Sequence, residues 1–346
     1  MLRVLLGRMQ KTADEELSDV QMGFRKGVGT RDQIFNLRII IEKAREHQTP
    51  LYIAFIDYKK AFDSVKHGKL WTMLKEIGVD SQVVKVFKSL YDNQQAAVRI
   101  DKETTEWFRI GKGVRQGCLI SPLSFNSYSE KVMRESVDVL SWIGITISGR
   151  TINNLRYADD IVLVATSKEA LQQLMDRVNE TSKNYGLEIN TKKTKVMVVS
   201  RKCEKISITC NGGILEQVES FRYLGAIVEE NGNGGREIRA RLGMARTIMG
   251  SLTALWRDRA IGTGLKLRLM RSLVWSVALY GCETWTLRME DKRRISAFEM
   301  TTYRKLLRVS WREFRTNESI LEELRPEQRL LEVVKKRKLN YFGHMI

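Results

Sequence analysis

Residues Leu155 to Thr166 read LRYADDIVLVAT, two apolar pieces rich in β-formers on either side of the acidic pair Asp159 and Asp160. Short apolar runs that flank a tight polar pair are the pattern of a β-hairpin whose turn presents its carboxylates. About a hundred residues earlier, LYIAFID at Leu51 to Asp57 is a second short apolar run, and it ends in Asp57. It reads as a buried strand that delivers a carboxylate at its C-terminal edge. A single Asp at a strand end is ordinarily a turn former or a helix cap. Two adjacent strands of one sheet would bring these carboxylates together, and like charges at close range repel unless a cation compensates. Oxygen donors without a nearby His or Cys favour a hard ion, Mg²⁺ or Mn²⁺, over zinc. Such a site suits two-metal phosphoryl transfer.

Outward from this pair the chain alternates helical and strand patterns. Thr30 followed by Gln33 reads as a capping box, opening an amphipathic helix through Ile34, Leu37, Ile41 and Ala44 that stops before Pro50. Helical periodicity recurs over 70–77 and 83–91, and short strands are expected over 97–100 and 106–110, leading into the loop GKGVRQGC. Ser121 is expected to cap a helix with Pro122 in its first turn. Strand-like residues return over 143–147, and Ser167 caps a helix to about Tyr185. GLEIN, KVMVVS and ISITC then alternate strand and turn, with Asn211-Gly212-Gly213 a hairpin turn. FRYLGAIVE closes this region. After NGNGG, helical periodicity dominates, with Ile238, Leu242, Ala245, Met249 and Leu252 on one heptad-like face. The expected domains are therefore 1–231 and 232–346.

The 346 residues, 43% hydrophobic and 29% charged with three prolines, are enough for two packed units and read as folded protein. Lys and Arg number 59 against 41 Asp and Glu, a net charge of +18 that points to a polyanion. The charge is lopsided: from Arg236 onward there are 24 basic and 12 acidic residues, two thirds of the net excess. No run approaches the roughly 18 to 20 apolar residues that span a bilayer, and MLRVLLGRMQ has neither the long apolar core nor the cleavage site of a secretory leader. Cys118, Cys203, Cys210 and Cys282 form no CxxC pair, so they read as reduced thiols of a nuclear or cytoplasmic protein.

The motifs also occur in a recognisable order, and that order resembles the reverse transcriptase of a non-LTR (LINE-type) retrotransposon. QMGFRKGVGTRD at Gln21 to Asp32 resembles the family's second conserved block, and IDYKKAFDSVKH at Ile56 to His67 its first catalytic block. GVRQGCLISPLSF at Gly113 to Phe125 is similar to the nucleotide and template block, and YADD at Tyr157 to Asp160 to the second catalytic block. GLEINTKKTK at Gly186 to Lys195 and FRYLG at Phe221 to Gly225 match the block that follows and the primer grip. LVWSVALYGCETW and RKLNYFGHMI resemble the helical region beyond the polymerase core.

The resemblance implies an α+β, right-hand polymerase with an antiparallel palm sheet, partial fingers and a helical C-terminal thumb. It implies an RNA-directed DNA polymerase with an RNA template, a DNA primer and dNTPs as partners. Asp57, Asp159 and Asp160 would bind two Mg²⁺ ions, with Mn²⁺ as a substitute, and Lys193 would assist the leaving pyrophosphate. Tyr58, Phe62, Gln116, Gly117 and Tyr157 would meet the nucleotide and template, Phe62 by excluding a 2′-hydroxyl. Phe221, Tyr223, Leu224 and Gly225 would form the primer grip, and Arg236, Arg239 and Arg246 would face a phosphate backbone.

The resemblance starts at Gln21, and Met1 to Val20 carries no counterpart of the finger block whose arginine contacts the triphosphate. The sequence therefore reads as a fragment lacking the start of the fingers, with the nicking endonuclease supplied elsewhere. The alternative reading is a catalytically inactive, nucleic-acid-binding remnant of such an element.

Overall fold

The apolar run at Leu51 forms β1 (Leu51–Ile56), and all six of its residues are buried in the computed structural model, which describes residues 1–101, 103–201 and 204–345. Its partners are β2 (Asn154–Tyr157), β3 (Asp160–Ala165), β4 (Lys195–Val199) and β5 (Glu216–Gln217), in the order β5-β4-β1-β3-β2. β1 is antiparallel to both β3 and β4, β2 to β3, and only β5 joins in parallel.

Register explains why this sheet is covered on both sides. Ala54 pairs with Leu163 and Val196, and Tyr52 with Ala165 and Val198, so these side chains share one face. That face joins a core with Phe125, Tyr128 and Val132 of α3 (Ser121–Ser136) and Leu171, Leu174 and Val178 of α4 (Lys168–Asn184). The opposite face carries Ile53, Phe55, Val162, Val164 and Met197, also buried, and α2 (Thr30–Glu46) packs beside β2 and β4. At about 1.5–3 kcal/mol for each fully buried aliphatic or Phe side chain, these two faces are the main hydrophobic stabilisation of the sheet. The first helix, α1 (Leu2–Glu16), buries Leu5, Met9 and Ala13 in the same core, so the segment without a motif is structurally integral.

The described chain divides into two compact units, Met1–Leu224 and Gly225–Ile346, ahead of the boundary expected at 231/232. The division falls at a tight turn where Leu224 and Gly225 both take positive φ, 46° and 81°. Among the described residues the second unit is helical apart from a strand at Ala226–Glu229. Ile238, Leu242, Ala245 and Met249 form the buried stripe of α5 (Gly235–Ser251) as expected, with Leu252 half-buried after it. They pack with Phe298 and Tyr303 of α6 (Met289–Leu307) and with Trp256, Trp275 and Trp285.

Several local expectations are corrected. α2 is capped by Gly29, whose N–H donates to Asp32 at 2.6 Å, and Gln33 is buried and serves another purpose. Ser121 lies inside α3 after Ile120, and its hydroxyl donates to the Arg115 carbonyl at 2.7 Å. The strands expected over 97–100 and 106–110 are two-residue pieces, Gln95–Ala96 with Phe108–Arg109 and Arg99–Ile100 with Glu103–Thr104. Cys118, Cys210 and Cys282 are free thiols, and Cys203 falls outside the described residues. No helix of the described residues is long and apolar enough to cross a membrane.

Candidate active site

The last paired residues of β1 and β3 are Ile56 and Ile161. One step further in the same register, Asp57 leaves β1 opposite Asp160. Tyr157 and Asp160 close the β2–β3 hairpin, leaving Ala158 and Asp159 as its two-residue turn. Ala158 takes φ 56°, a conformation that costs an L-residue roughly 1–2 kcal/mol and therefore needs outside support.

That support comes from Gln21 to Gly23. Gln21 Oε1 accepts from the N–H of Ala158 at 2.9 Å and of Gly23 at 2.8 Å. Gly23 lies so close that a Cβ there would sit 2.4 Å from the Ala158 nitrogen. Asn126 Nδ2 donates to the Gly23 carbonyl at 2.6 Å, and Gln33 Nε2 bridges the carbonyls of Val20 and Arg156, both at 2.8 Å. Below the turn, Arg156 is 1% exposed and pairs with the buried Glu130 at 2.9 Å. The sequence reading placed Gln21 and Gly23 in a matching block but missed their task, and it missed Gln33, Asn126 and Arg156.

Asp57 is gripped from the other side by the turn ahead of β4. Its carbonyl accepts from Asn190 N at 2.8 Å, its N–H donates to Thr194 Oγ1 at 3.2 Å, and its carboxylate receives Asn190 Nδ2 at 3.4 Å. Lys193 Nζ lies 3.8 Å from the same carboxylate on an exposed side chain. Of the three neighbouring lysines, Lys193 approaches Asp57, while Lys195 pairs with Glu216 at 2.6 Å. Asn190 and Thr194 are neighbours of Asp57 that sequence reasoning did not single out.

Phe62 sits on a helical turn at Ala61–Ser64, its ring stacked on Phe125 at 4.2 Å and meeting the edge-on ring of Phe24 at 6.4 Å. The turn is tied to the glycine loop, since Val114 N donates to Phe62 O at 2.9 Å and Gly113 N to Val65 O at 2.8 Å. Gly113 takes φ 91°, and a Cβ there would fall 2.9 Å from Asp63 Cα, so only glycine allows this approach. Gln116 and Gly117 lie exposed further along the same loop.

Two sets of expected site residues turn aromatic side chains inward. Tyr58 is 5% exposed and its hydroxyl bonds to Ser182 at 2.8 Å, so its side chain belongs to the core and does not meet a nucleotide. The reason is strand alternation, which sends the neighbour of Asp57 to the opposite face. Phe221 stacks on Phe55 at 4.2 Å and Tyr223 is buried beside it. These rings brace the chain from inside; the turn residue Leu224 is half-buried and Gly225 exposed. In the helical unit Arg236, Arg239 and Arg246 are all exposed on α5.

The electrostatics of the strand ends are those of an anion cluster. Burial pushes the Asp160 carboxyl up to about 6, and the charges of Asp159 and Asp57 push the same way. Asp159 is raised as well, first by burial, against its own backbone N–H, with the Asp57 charge adding to the rise. Among the described residues no three His, Cys, Asp or Glu side chains converge into a ready-made cage for an ion.

The chain belongs to the reverse transcriptase (RNA-dependent DNA polymerase) family, which it matches over residues 1–228. The match includes Met1 to Val20, the stretch in which no motif was recognised. Among its relatives is the retrovirus-related Pol polyprotein from type-1 retrotransposable element R2 of Nasonia vitripennis, 30% identical over 223 residues that cover 61% of this chain and 22% of the relative. Another is the RNA-directed DNA polymerase from mobile element jockey of Drosophila melanogaster, 23% identical over 90% of this chain and 34% of the relative. The chain thus spans a third or less of these two proteins, to within a percentage point. Apo telomerase from Candida tropicalis matches 97% of the chain and 61% of its own with a TM-score of 0.50 at 14% identity. That likeness is one of fold: α+β, of the right-hand polymerase type.

Proposed function

We propose that this chain is the RNA-directed DNA polymerase portion of a non-LTR (LINE-type) retrotransposon, extending a primer 3′-hydroxyl with dNTPs on an RNA template. The observation that carries the reading is the register that sets Asp57 opposite Asp160, beside the strained turn bearing Asp159. The first unit then supplies palm and finger elements, and the second the thumb and the region after it.

The donor chemistry fits a hard divalent cation. The site offers carboxylate oxygens, and two of its carboxyls are disfavoured as anions by burial and by one another. Asp57 and Asp159 would hold two Mg²⁺ ions, or Mn²⁺ in their place, with Asp160 in support. When bound, the ions activate the attacking hydroxyl and neutralise charge on the leaving pyrophosphate.

The chain's own residues supply the positioning. Lys193 holds a proton and a positive charge beside Asp57, where a leaving pyrophosphate needs both. Phe62, braced by Phe125, presents a flat wall that leaves no room for a 2′-hydroxyl. Gln116 and Gly117 offer an exposed amide and an open backbone to the nucleotide and template, and Tyr157 at the hairpin end meets them in the same role. The segment Phe221, Tyr223, Leu224 and Gly225 serves the primer end through its turn, and Arg236, Arg239 and Arg246 serve the phosphate backbone.

Primer extension on an RNA template with Mg²⁺ and dNTPs tests it, with Asp159→Asn as control. Template-dependent incorporation by the native chain, lost in the variant, is the expected result. Equal, background incorporation by both while both still bind the duplex would leave the inactive remnant as the correct reading.

A further inference from the structure

The helical unit carries a basic groove that the proposed polymerase site does not use. It encloses about 710 Å³ and is lined on α6 by Lys292, Arg293 and Arg304, with Asn317 from the next helix and Arg329 from just ahead of the last one. Arg293 and Arg304 lie about three helical turns apart and share one side of α6, with Lys292 beside Arg293 at the groove edge. Arg329 is neutralised by the buried Glu299 at 2.8 Å, whereas among the described residues no carboxylate lies within ion-pair distance of the other three cations. A groove with three uncompensated cations and small or flexible side chains between them (Ser296, Thr301, Met300) is suited to an extended anion.

A second feature adjoins it. Arg304 Nη2 donates to the Arg315 carbonyl at 2.9 Å, fixing the loop that follows α6 against the groove wall. On that loop Trp311 is 78% and Phe314 84% exposed, two of the most exposed apolar side chains among the described residues. The loop is nonetheless built firmly. Ser310 and Glu313 cap each other's N–H groups, and Arg315 pairs with Glu323 at 2.6 Å. Phe314 takes φ 47°, a conformation unfavourable for a bulky residue, while its ring gains no burial in exchange. Arg312 lies 5.6 Å from the Trp311 ring and adds a cation beside it. Rigid, outward aromatic rings next to a cationic groove are the components with which proteins hold unpaired bases and their backbone.

We infer that the helical unit carries a track for single-stranded nucleic acid, in which Lys292, Arg293 and Arg304 hold backbone phosphates while Trp311 and Phe314 stack bases. A duplex hides its base faces, so the aromatic pair selects an unpaired strand. The same chemistry serves an RNA strand ahead of copying or a DNA strand displaced from a duplex. All of these residues lie in the second unit, and binding to them is read without nucleotide incorporation.

Fluorescence anisotropy on the full chain tests the assignment, with labelled single-stranded RNA, single-stranded DNA and a blunt duplex of the same sequence. Every variant is made in the Asp159→Asn background, so loss of incorporation plays no part in the result. Trp311→Ala with Phe314→Ala is expected to weaken single-strand binding roughly tenfold or more, as removal of base stacking does, while duplex binding and the salt slope stay unchanged. Lys292→Gln with Arg293→Gln is expected to weaken it and to flatten log K against log salt by about 0.7 for each phosphate no longer neutralised. Thermal melts confirm folding, and both residue pairs are surface groups whose side chains no hydrogen bond within the loop requires. Tighter binding of RNA assigns the track to an incoming template, tighter binding of DNA to a displaced strand. Native single-strand affinity in both double variants, or equal loss for duplex and single strands in the aromatic variant, overturns the inference.

Discussion

Gln21 Oε1 holds the backbone N–H of Ala158 at 2.9 Å, and so fixes the turn that presents Asp159 from a position 137 residues earlier in the chain. Gln21 is fully buried and serves two donors at once. Gln21→Leu would leave both N–H groups without an acceptor, at about 1–3 kcal/mol for each. The expected outcome is a loss of roughly 2–4 kcal/mol in urea unfolding, together with slower single-turnover extension by chain that remains folded. Gly23→Ala is expected to be at least as damaging, because its Cβ meets backbone that cannot swing aside.

The contrast with the sequence reading is physical. The strands at Leu51 and around Asp159 were legible because β-branched runs of that length, ending in acidic residues, have few other stable arrangements. Gln21, Asn126 and Asn190 were not, since a lone amide acquires its role from a partner far away in the chain: Asn190 meets Asp57 across 133 residues. Tyr58 was misjudged because a motif is read as a string, whereas a strand sends alternate residues to opposite faces. The caps of α2 and α3 were misplaced by one residue because capping depends on backbone angles and not on residue type alone. The exposed Trp311 and Phe314 were invisible for the complementary reason. Nothing in a string distinguishes an outward aromatic from a buried one.

Asp160 makes the stability of the metal-free protein pH-dependent in a defined direction. Its folded carboxyl titrates near 6, above the ordinary value of 3.8, so between these values the folded state binds protons that the unfolded state has already released. Stability from this group is therefore full below about pH 4 and is lost as pH rises through about 6. Asp160→Asn removes the penalty. In urea unfolding with EDTA, the variant is expected to gain on the native chain between about pH 5 and 7.5, by on the order of 1 kcal/mol after solvent screening. An advantage that shrinks as pH rises would reverse the assigned cause. Mg²⁺ is expected to favour the native chain over the variant at the upper end of that range.

The Phe62 wall and the Gln116 loop are joined through Gly113, and substitutions at the two positions are expected to separate selectivity from binding. Phe62→Ala opens the space a 2′-hydroxyl needs, and rNTP incorporation is expected to rise roughly 10- to 200-fold relative to dNTP, the range of a single pocket group. Gly113→Ala instead strains φ 91° and pushes against Asp63. It is expected to cost about 2 kcal/mol or more in stability and to raise KM for dNTPs without restoring rNTP use. Steady-state extension with each nucleotide type distinguishes the two.

The exposed arginines of α5 lead to a prediction that depends on ionic strength. Arg236 lies opposite the stripe of Ile238, Leu242, Ala245 and Met249, and Arg239 and Arg246 lie on its flank; all three are exposed, so replacing them leaves the apolar stripe in place. Arg246 also lies 5.9 Å from the Phe298 ring, so its loss carries a small packing cost besides. If all three neutralise phosphates, the triple change to Gln is expected to weaken binding of a primer-template duplex and to lower the slope of log K against log salt by about 0.9 per arginine. Unfolding free energy should move by about 1 kcal/mol or less, as surface substitutions do. A slope unchanged between about 50 and 200 mM salt, conditions over which counterion release is large, would show that these arginines do not meet phosphates, and the duplex would have to be sought on another face of the unit.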